Sequence, residues 1–176
     1  MTQIELEYIR KACNTLRDKA IVEFLYSTGC RVSELCGVKK SDIDWTKKSV
    51  HLYGKGKKHR TSYINAKSEI TLLTYLESRD DSSDYLFVSE RKPHGQLKRD
   101  AVEKVIRQIA ERASNNIQKP ISPHIFRHTC ATTALNNGMP IEDISKLLGH
   151  ESISTTIIYS KVSMGSVQSN HKKYVI

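Results

Sequence analysis

The stretch between residues 122 and 159 carries the strongest helix start and stop signals of the chain, which in order are Ser122, Pro123, Gly138, Pro140 and Gly149. Serine is a favoured N-cap, and proline is favoured at the first helical position because no intrahelical partner waits for its missing N–H. Glycine commonly ends a helix because it adopts the left-handed conformation without a Cβ penalty. These signals predict one helix to about Asn137, a second that Gly149 ends, and a third segment from Ser152 or Ser154 that carries Tyr159.

Helical patterns also dominate the earlier part of the chain. Thr2 and Glu5 have the spacing of a capping box, which predicts a helix at the N-terminus. Asp18 is placed to cap a second helix. Apolar side chains recur at helical spacing in two further segments, residues 68–76 and 101–109.

One short region has the pattern of a β-hairpin instead. Residues 50–53 alternate as a half-buried strand, and residues 61–65 have the pattern of the returning strand after a loop with two glycines. A third short strand is expected at residues 85–89. Because no linker-like stretch divides the chain, the sequence predicts a single domain over residues 1–176. Its predicted class is mainly α with a small antiparallel β-sheet (α+β).

The charge balance indicates an anionic partner. The chain has 28 Lys and Arg against 19 Asp and Glu, a net charge of +9 and a pI near 9.4. Such a balance is typical of proteins that bind nucleic acid or an acidic membrane surface. No apolar stretch approaches the roughly 18 residues that a membrane span needs. The four cysteines are scattered without a C-x-x-C motif, which favours inert thiols in a reducing cytoplasm.

Two residues of the predicted helix after Ser122 have the chemistry of a phosphate site. His124 and Arg127 are three apart and therefore share a helix face. His124 also falls in the first turn, where free N–H groups and the helix dipole favour an anion. Arginine binds phosphate through two parallel hydrogen bonds and keeps its charge, so a second guanidinium from Arg31 would complete a clamp. Glu34, three residues after Arg31, shares its face.

A phosphate held in this way could be attacked by Tyr159. A phenol titrates near about 10 and needs a base, for which His124 is the candidate. Lys55, at the tip of the two-glycine loop, could give a proton to the leaving 5′-oxygen, and His150 could donate a further hydrogen bond. His124 and His128 are four apart as in metal pairs, but the Glu of H-E-x-x-H is missing and no acidic cluster is evident. We therefore expect no metal and no cofactor.

The same residues carry a resemblance to a known family. Thr-Gly-Cys-Arg31-Val-Ser-Glu34-Leu, Gly-Lys55-Gly-Lys-Lys-His-Arg60, His124-Ile-Phe-Arg127-His, Leu-Gly-His150 and Tyr159 occur in an order and at spacings similar to the tyrosine recombinase (phage integrase) catalytic domain. The resemblance implies DNA recombination or integration in which the tyrosine forms a 3′-phosphotyrosyl bond and frees a 5′-hydroxyl, without ATP. It implies roles for the matching positions: a phosphate clamp of Arg31 and Arg127, Lys55 as general acid, flanking histidines 124 and 150, and Glu34 as an ordering residue.

The resemblance also implies partners. The family acts on double-stranded DNA, so we expect the full-length protein to form a homo-tetramer on DNA, in the cytoplasm and at the nucleoid. The chain begins about where the family's N-terminal DNA-clamping domain would end, so we expect that domain to be absent. The isolated catalytic domain should then be monomeric or weakly associating and should bind DNA weakly. Residues 160–176 resemble the tail that often docks on a neighbouring protomer, and Lys57, Lys58 and Arg60 are expected to contact DNA phosphates.

Two alternatives remain open at this stage. Residues 141–159 also have the pattern of a helix-turn-helix, which would suit a DNA-binding regulator without catalysis. That interpretation leaves Arg31, Lys55 and the His124/Arg127 pair without a role. The other alternative is a type IB topoisomerase that relaxes DNA by related chemistry.

Overall fold

The computed structural model of the protein describes residues 1–54, 59–117, 119–150 and 155–156. Within these residues the elements, in chain order, are α1 (Gln3–Lys11), α2 (Leu16–Thr28), α3 (Val32–Gly37), β1 (Ile43–Asp44), β2 (Ser49–Tyr53), β3 (His59–Tyr63), α4 (Ala66–Glu77), α5 (Arg99–Arg112), α6 (Pro123–Asn136) and α7 (Ile141–Leu148). The predicted fold class, mainly helical with a small antiparallel sheet, is confirmed.

The sheet is antiparallel in the order β1-β2-β3, and β2 and β3 form the predicted hairpin. Leu52 is buried and Tyr53 exposed, as the alternation predicts. The strand predicted at residues 85–89 is wrong, because that segment makes only isolated bridges. The third strand is β1, and its two residues are too few to show an alternating pattern.

Helix caps account for most of the predicted starts and for one error. Thr2 and Glu5 form the predicted capping box, with the Thr2 N–H donating to Glu5 at 2.6 Å and the Glu5 N–H donating to Thr2 Oγ1 at 3.1 Å. The cap of α2 is Thr15, whose hydroxyl accepts the Asp18 N–H at 3.0 Å, so the prediction that Asp18 caps this helix is wrong. Threonine and aspartate both cap helices well. Thr15 lies three residues before Asp18, so Asp18 falls in the first turn of the helix and supplies the N–H that the cap accepts.

Helix α2 is the centre of the fold. Its side chains are buried on several sides, including Ile21, Phe24 and Leu25, and it packs between α4 and α6. Residues 20–25 are all buried, so neighbouring elements enclose the helix on most sides along this stretch. Phe24 packs edge-on against Phe87 with ring centroids 5.5 Å apart. The end of α2 is thereby fixed in the core, and the chain leaves it directly toward Arg31.

Helices α6 and α7 begin and end where the sequence predicts. Pro123 is the first residue of α6, Pro140 precedes α7, and Gly149 ends α7 in the left-handed conformation with φ of 64°. Residues Val102, Val105, Ile106 and Ile109 form the predicted buried stripe of α5. Among the described residues no helix combines the length and apolar character that a bilayer crossing requires.

Candidate active site

An open cavity of about 700 Å³ lies where α3, α5, α6 and the end of α7 meet. Four residues with predicted catalytic roles line it: Arg31, His124, Arg127 and His150. These residues are far apart in the sequence, and the fold brings them to one cavity. Two further predicted residues, Lys55 and Tyr159, lie outside the described residues. Thr155, four residues before Tyr159, also lines the cavity.

Arg127 is buried at the back of this cavity, with 3% of its surface exposed. Its Nη1 donates to the carbonyl of Gly29 at 2.7 Å, and its Nη2 donates to the carbonyl of Leu148 at 2.6 Å. Gly29 comes two residues before Arg31, and Leu148 comes two residues before His150. The guanidinium therefore joins the two chain segments that present Arg31 and His150, in addition to lining the cavity itself.

The two segments approach so closely that a side chain at Gly29 would not fit. A Cβ atom there would lie 2.8 Å from Leu148 Cδ2 and 3.3 Å from Cys130 Sγ. Gly29 also has φ of 57°, which other residues adopt at a cost. The glycine thus permits the contact between the ends of α2 and α7 on which the cavity depends.

Arg31 is held at the start of α3 by Glu34. The Glu34 carboxylate accepts the Arg31 backbone N–H at 2.8 Å and Arg31 Nη1 at 3.1 Å. Glu34 is buried, whereas the Arg31 side chain is 46% exposed and faces the cavity. Burial alone would raise the pKa of Glu34, but hydrogen bonds from Arg60 and from the Arg31 N–H lower it below its usual value. Glu34 is therefore a charged anchor beside Arg31, in the position where the sequence predicts an ordering residue.

His124 lies in the first turn of α6 and its side chain is exposed. It lines the cavity together with Ser122 and Pro123, at the end of the helix where N–H groups are unpaired. An anion in the cavity would meet this end of the helix and the imidazole together. Its role as a base stays a prediction.

His150 follows the glycine that ends α7. Its Nδ1 lies 2.8 Å from Thr156 Oγ1, and its backbone N–H donates to the Ser145 carbonyl at 3.0 Å. Partial burial, and then the positive charges of Arg127, Arg31 and Arg60, lower the pKa of His150 to about 4. The imidazole is therefore neutral near pH 7, and its Nδ1 faces the Thr156 hydroxyl at the edge of the cavity.

The low pKa of His150 predicts acid sensitivity of the fold. The pKa of this histidine is 6.5 in the unfolded chain and about 4 in the folded protein, so the unfolded state binds more protons between these pH values. The free energy of unfolding should therefore decrease as the pH falls through this window. In His150→Gln the slope should become shallower, with a remaining part from His128, whose pKa burial also lowers. Urea unfolding across the window measures both slopes, and identical slopes would contradict this origin.

Arg60, at the start of β3, is predicted to contact a DNA phosphate. In the structure its side chain is only 11% exposed. Its Nη2 donates to Glu34 Oε2 at 2.9 Å, and its Nη1 donates to the Leu147 carbonyl. The predicted DNA contact is untested, and the structure gives the guanidinium protein partners that the sequence did not indicate. Lys57 and Lys58, predicted to contact DNA as well, lie outside the described residues.

Helix α5 contributes two charged residues that sequence reasoning did not assign to the site. Arg99 and Glu103 line the cavity, and Arg99 Nε donates to Glu103 at 2.7 Å. The sequence shows α5 only as an amphipathic helix, and nothing in that pattern indicates which polar residues face a distant cavity. Within the part of the chain that the structure describes, no group of three or more His, Cys, Asp or Glu is arranged to hold a metal ion.

Comparison with known proteins identifies the family. The Phage integrase family matches residues 1–165. Tyrosine recombinase XerA of Thermococcus onnurineus (strain NA1) is 37% identical over 95% of this chain and 60% of the relative. Tyrosine recombinase XerC of Bacillus pumilus (strain SAFR-032) is 35% identical over 90% of this chain and 53% of the relative. The chain thus spans little more than half the length of these curated relatives.

Solved structures give the same result. A crystal structure of XerA recombinase superposes with a TM-score of 0.85 and 34% identity, over 99% of this chain and 64% of that one. The XerH site-specific recombinase, in a post-cleavage complex with its difH substrate, shares the fold with a TM-score of 0.79 at 21% identity. Matched over most of its length in sequence and in fold, the chain belongs to the Phage integrase family.

Proposed function

We propose that this chain is the catalytic domain of a site-specific DNA recombinase, which breaks and rejoins double-stranded DNA through a bond between tyrosine and phosphate. The observation that carries the proposal is the convergence of Arg31, His124, Arg127 and His150 on one open cavity. Two guanidinium groups, a neutral imidazole and a helix N-terminus are groups that bind a phosphodiester and stabilise the extra negative charge of its transition state.

The two arginines divide this work. Arg127 is buried and tied to two carbonyl groups, so its position changes little when a ligand binds. Arg31 is anchored at its backbone by Glu34 while its side chain reaches the cavity. A rigid donor and an accessible donor together can hold the two non-bridging oxygens of one phosphate. Preorganised donors of this kind contribute on the order of 100- to 1000-fold each to a rate.

The proposed reaction is a transesterification that balances without a cofactor. The Tyr159 oxygen forms a bond to phosphorus, and its proton passes to a base, for which His124 is the candidate. The bond from phosphorus to the 5′-oxygen breaks, and Lys55 gives that oxygen a proton. The products are a 3′-phosphotyrosyl bond and a 5′-hydroxyl. The reverse step, with a different 5′-hydroxyl, rejoins the strands in a new order.

The partner in this proposal is duplex DNA. Among structural relatives, XerH is bound to difH DNA, and a lambda integrase dimer is bound to a core site. Each of these proteins shares the fold with this chain, and the net charge of +9 suits a polyanionic partner. We also propose that residues 1–176 form one catalytic domain and that the full-length protein assembles as a homo-tetramer on DNA in the cytoplasm. Residues 160–176 lie outside the described residues, and we propose that they serve as a tail that docks on a neighbouring protomer.

Covalent trapping tests the proposal without knowledge of the DNA site. The probe is a pool of duplexes with a randomised core and a nick close to each candidate cleavage position, so that the short 5′-hydroxyl fragment dissociates after cleavage. After denaturation, we expect protein linked to 3′-phosphate ends and an enriched core sequence among the linked DNA. An enriched core without any covalent product would instead support a helix-turn-helix regulator. Covalent product and plasmid relaxation without an enriched core would support a topoisomerase.

A further inference from the structure

Arg60 connects three parts of the candidate site although it does not line the cavity. It lies at the start of β3, five positions after Lys55 in the sequence. Its Nη2 donates to Glu34 on α3 at 2.9 Å, and its Nη1 donates to the carbonyl of Leu147 in the last turn of α7. One side chain thus joins the hairpin to the helix that presents Arg31 and to the helix that precedes His150.

The surroundings of Arg60 leave it little freedom. Its Cδ lies so close to Gly149 that a Cβ atom on that glycine would be 2.6 Å away. Its Nε is buried with no hydrogen-bond partner among the described residues. A buried donor without a partner is costly, so the position is held by the other contacts of the side chain. The fit between Arg60 and the left-handed turn at Gly149 accounts for the absence of a side chain there.

Two arginines donate hydrogen bonds to consecutive carbonyl groups at the end of α7. Arg60 binds the carbonyl of Leu147, and Arg127 binds the carbonyl of Leu148. The last carbonyls of a helix have no intrahelical partner and carry its negative dipole end, so two cations stabilise this end together. Arg127 comes from α6, whereas Arg60 comes from the hairpin. The end of α7 is therefore the place where the hairpin is attached to the rest of the site.

Lysine could not make this attachment. The planar guanidinium reaches a carboxylate and a carbonyl from two nitrogens in a fixed fork, whereas an ammonium is a single point donor. Arg60 is also enclosed, and its direct ionic partner is the buried Glu34 carboxylate, which it shares with Arg31. A guanidinium that is enclosed and paired in this way has little left to offer a DNA phosphate.

We propose that Arg60 is a positioning residue that docks the β2–β3 hairpin onto α3 and α7, and that this docking supports the protonation of the leaving 5′-oxygen proposed for Lys55. The inference rests on the proposed function and adds to it the contact that sets the general acid. Displacing a reacting group by about 1 Å can cost on the order of 100-fold in rate. The loss should concern protonation of the leaving group, with DNA binding left intact.

The test uses a substrate that does not need the acid. In one of the two trapping duplexes, sulfur replaces the bridging 5′-oxygen. A thiol has a pKa of about 8.5, as in cysteine, so the sulfur leaves as a thiolate and needs no proton from an acid. We expect Arg60→Lys to form the adduct about 100-fold more slowly on the oxygen duplex. On the sulfur duplex its deficit should shrink to less than about tenfold, with the Kd for either duplex within about twofold of wild type. Arg60→Gln should show the same rescue and serves where the lysine variant does not fold.

Arg10→Lys is the matched control. Arg10 is similarly buried, with 14% of its side chain exposed, and it binds the buried Glu23 at 2.6 Å and 2.8 Å, but it lies on α1 away from the cavity. This variant should lose comparable stability and cleave both duplexes at rates close to wild type.

Three results would overturn the inference. The first is cleavage of the oxygen duplex by Arg60→Lys at the wild-type rate, and the second is an equal loss of rate on both duplexes. The third is a decrease of about one in the salt slope of DNA binding in Arg60→Gln, which would identify Arg60 as a phosphate contact. If the wild-type chain forms no adduct with either duplex, the proposed function itself fails. Adduct formation by wild type with no effect of Arg60→Lys would remove this inference alone.

Discussion

In Tyr159→Phe, formation of the covalent DNA adduct should fall below detection, while the affinity for the same duplex stays within about twofold of wild type. The substitution removes one oxygen and keeps the ring, so contacts of the ring are retained and the nucleophile is lost. Removing the nucleophile of an enzyme that works by covalent catalysis costs on the order of 10⁶-fold. Single-turnover trapping on the enriched duplex measures the loss, and a binding titration measures the affinity.

The position of the tyrosine in the chain supports this prediction. Tyr159 lies outside the described residues, but it follows Thr156 by three positions, and the Thr156 hydroxyl lies 2.8 Å from His150. The chain contains eight tyrosines, so a control for the chemistry is needed. Tyr63→Phe, on an exposed side chain of β3, should form the adduct at the wild-type rate. Loss of the adduct in Tyr63→Phe with its retention in Tyr159→Phe would refute the assignment.

The second large effect is expected in Arg127→Lys, which should slow adduct formation by about 1000-fold and also destabilise the fold. One ammonium cannot replace a guanidinium that binds the Gly29 carbonyl at 2.7 Å and the Leu148 carbonyl at 2.6 Å. A buried carbonyl left without its donor costs about 1–3 kcal/mol. The phosphate would lose a preorganised donor, and the segments that carry Arg31 and His150 would lose their common contact.

Arg31→Lys separates the two consequences. The Arg31 side chain is half-exposed, and its backbone contact with Glu34 does not depend on the side chain. We expect this variant to cleave about 100-fold more slowly while its free energy of unfolding changes by less than about 1 kcal/mol. Trapping kinetics and urea unfolding on both variants make the comparison. Cleavage by Arg127→Lys within tenfold of wild type would contradict the central place given to that guanidinium.

Local signals in the sequence account for much of the fold. Ser122 and Pro123 start α6 where predicted, and Gly149 ends α7, because caps and left-handed turns depend on only a few neighbouring residues. Two predictions failed where such signals were ambiguous or absent. Thr15 and Asp18 are both good cap types, so the sequence alone did not decide between them as the cap of α2. The two residues of β1 are too few to show a period.

The site could not be predicted from local signals in the same way, because contacts between residues distant in the sequence hold it together. Helical spacing paired His124 with Arg127, whereas the chemistry of a phosphate site and the resemblance to a family, rather than periodicity, added Arg31 and His150. Arg60 bonds to residues 26 and 87 positions away, and its own neighbourhood in the sequence is a basic stretch that would suit a solvated turn or a DNA contact equally. No local pattern records such a connection, so the structure was needed to find it.

The most direct test of the account is to locate the DNA on the protein. After trapping, nuclease and trypsin digestion should leave a nucleotide remnant on the peptide between Lys146 and Lys161, which contains a single tyrosine, Tyr159. Mass spectrometry of that peptide is predicted to place the added mass on the tyrosine, through a 3′-phosphate. Added mass on any other residue, or a trapped complex from which the unmodified peptide is recovered in full, would contradict the account.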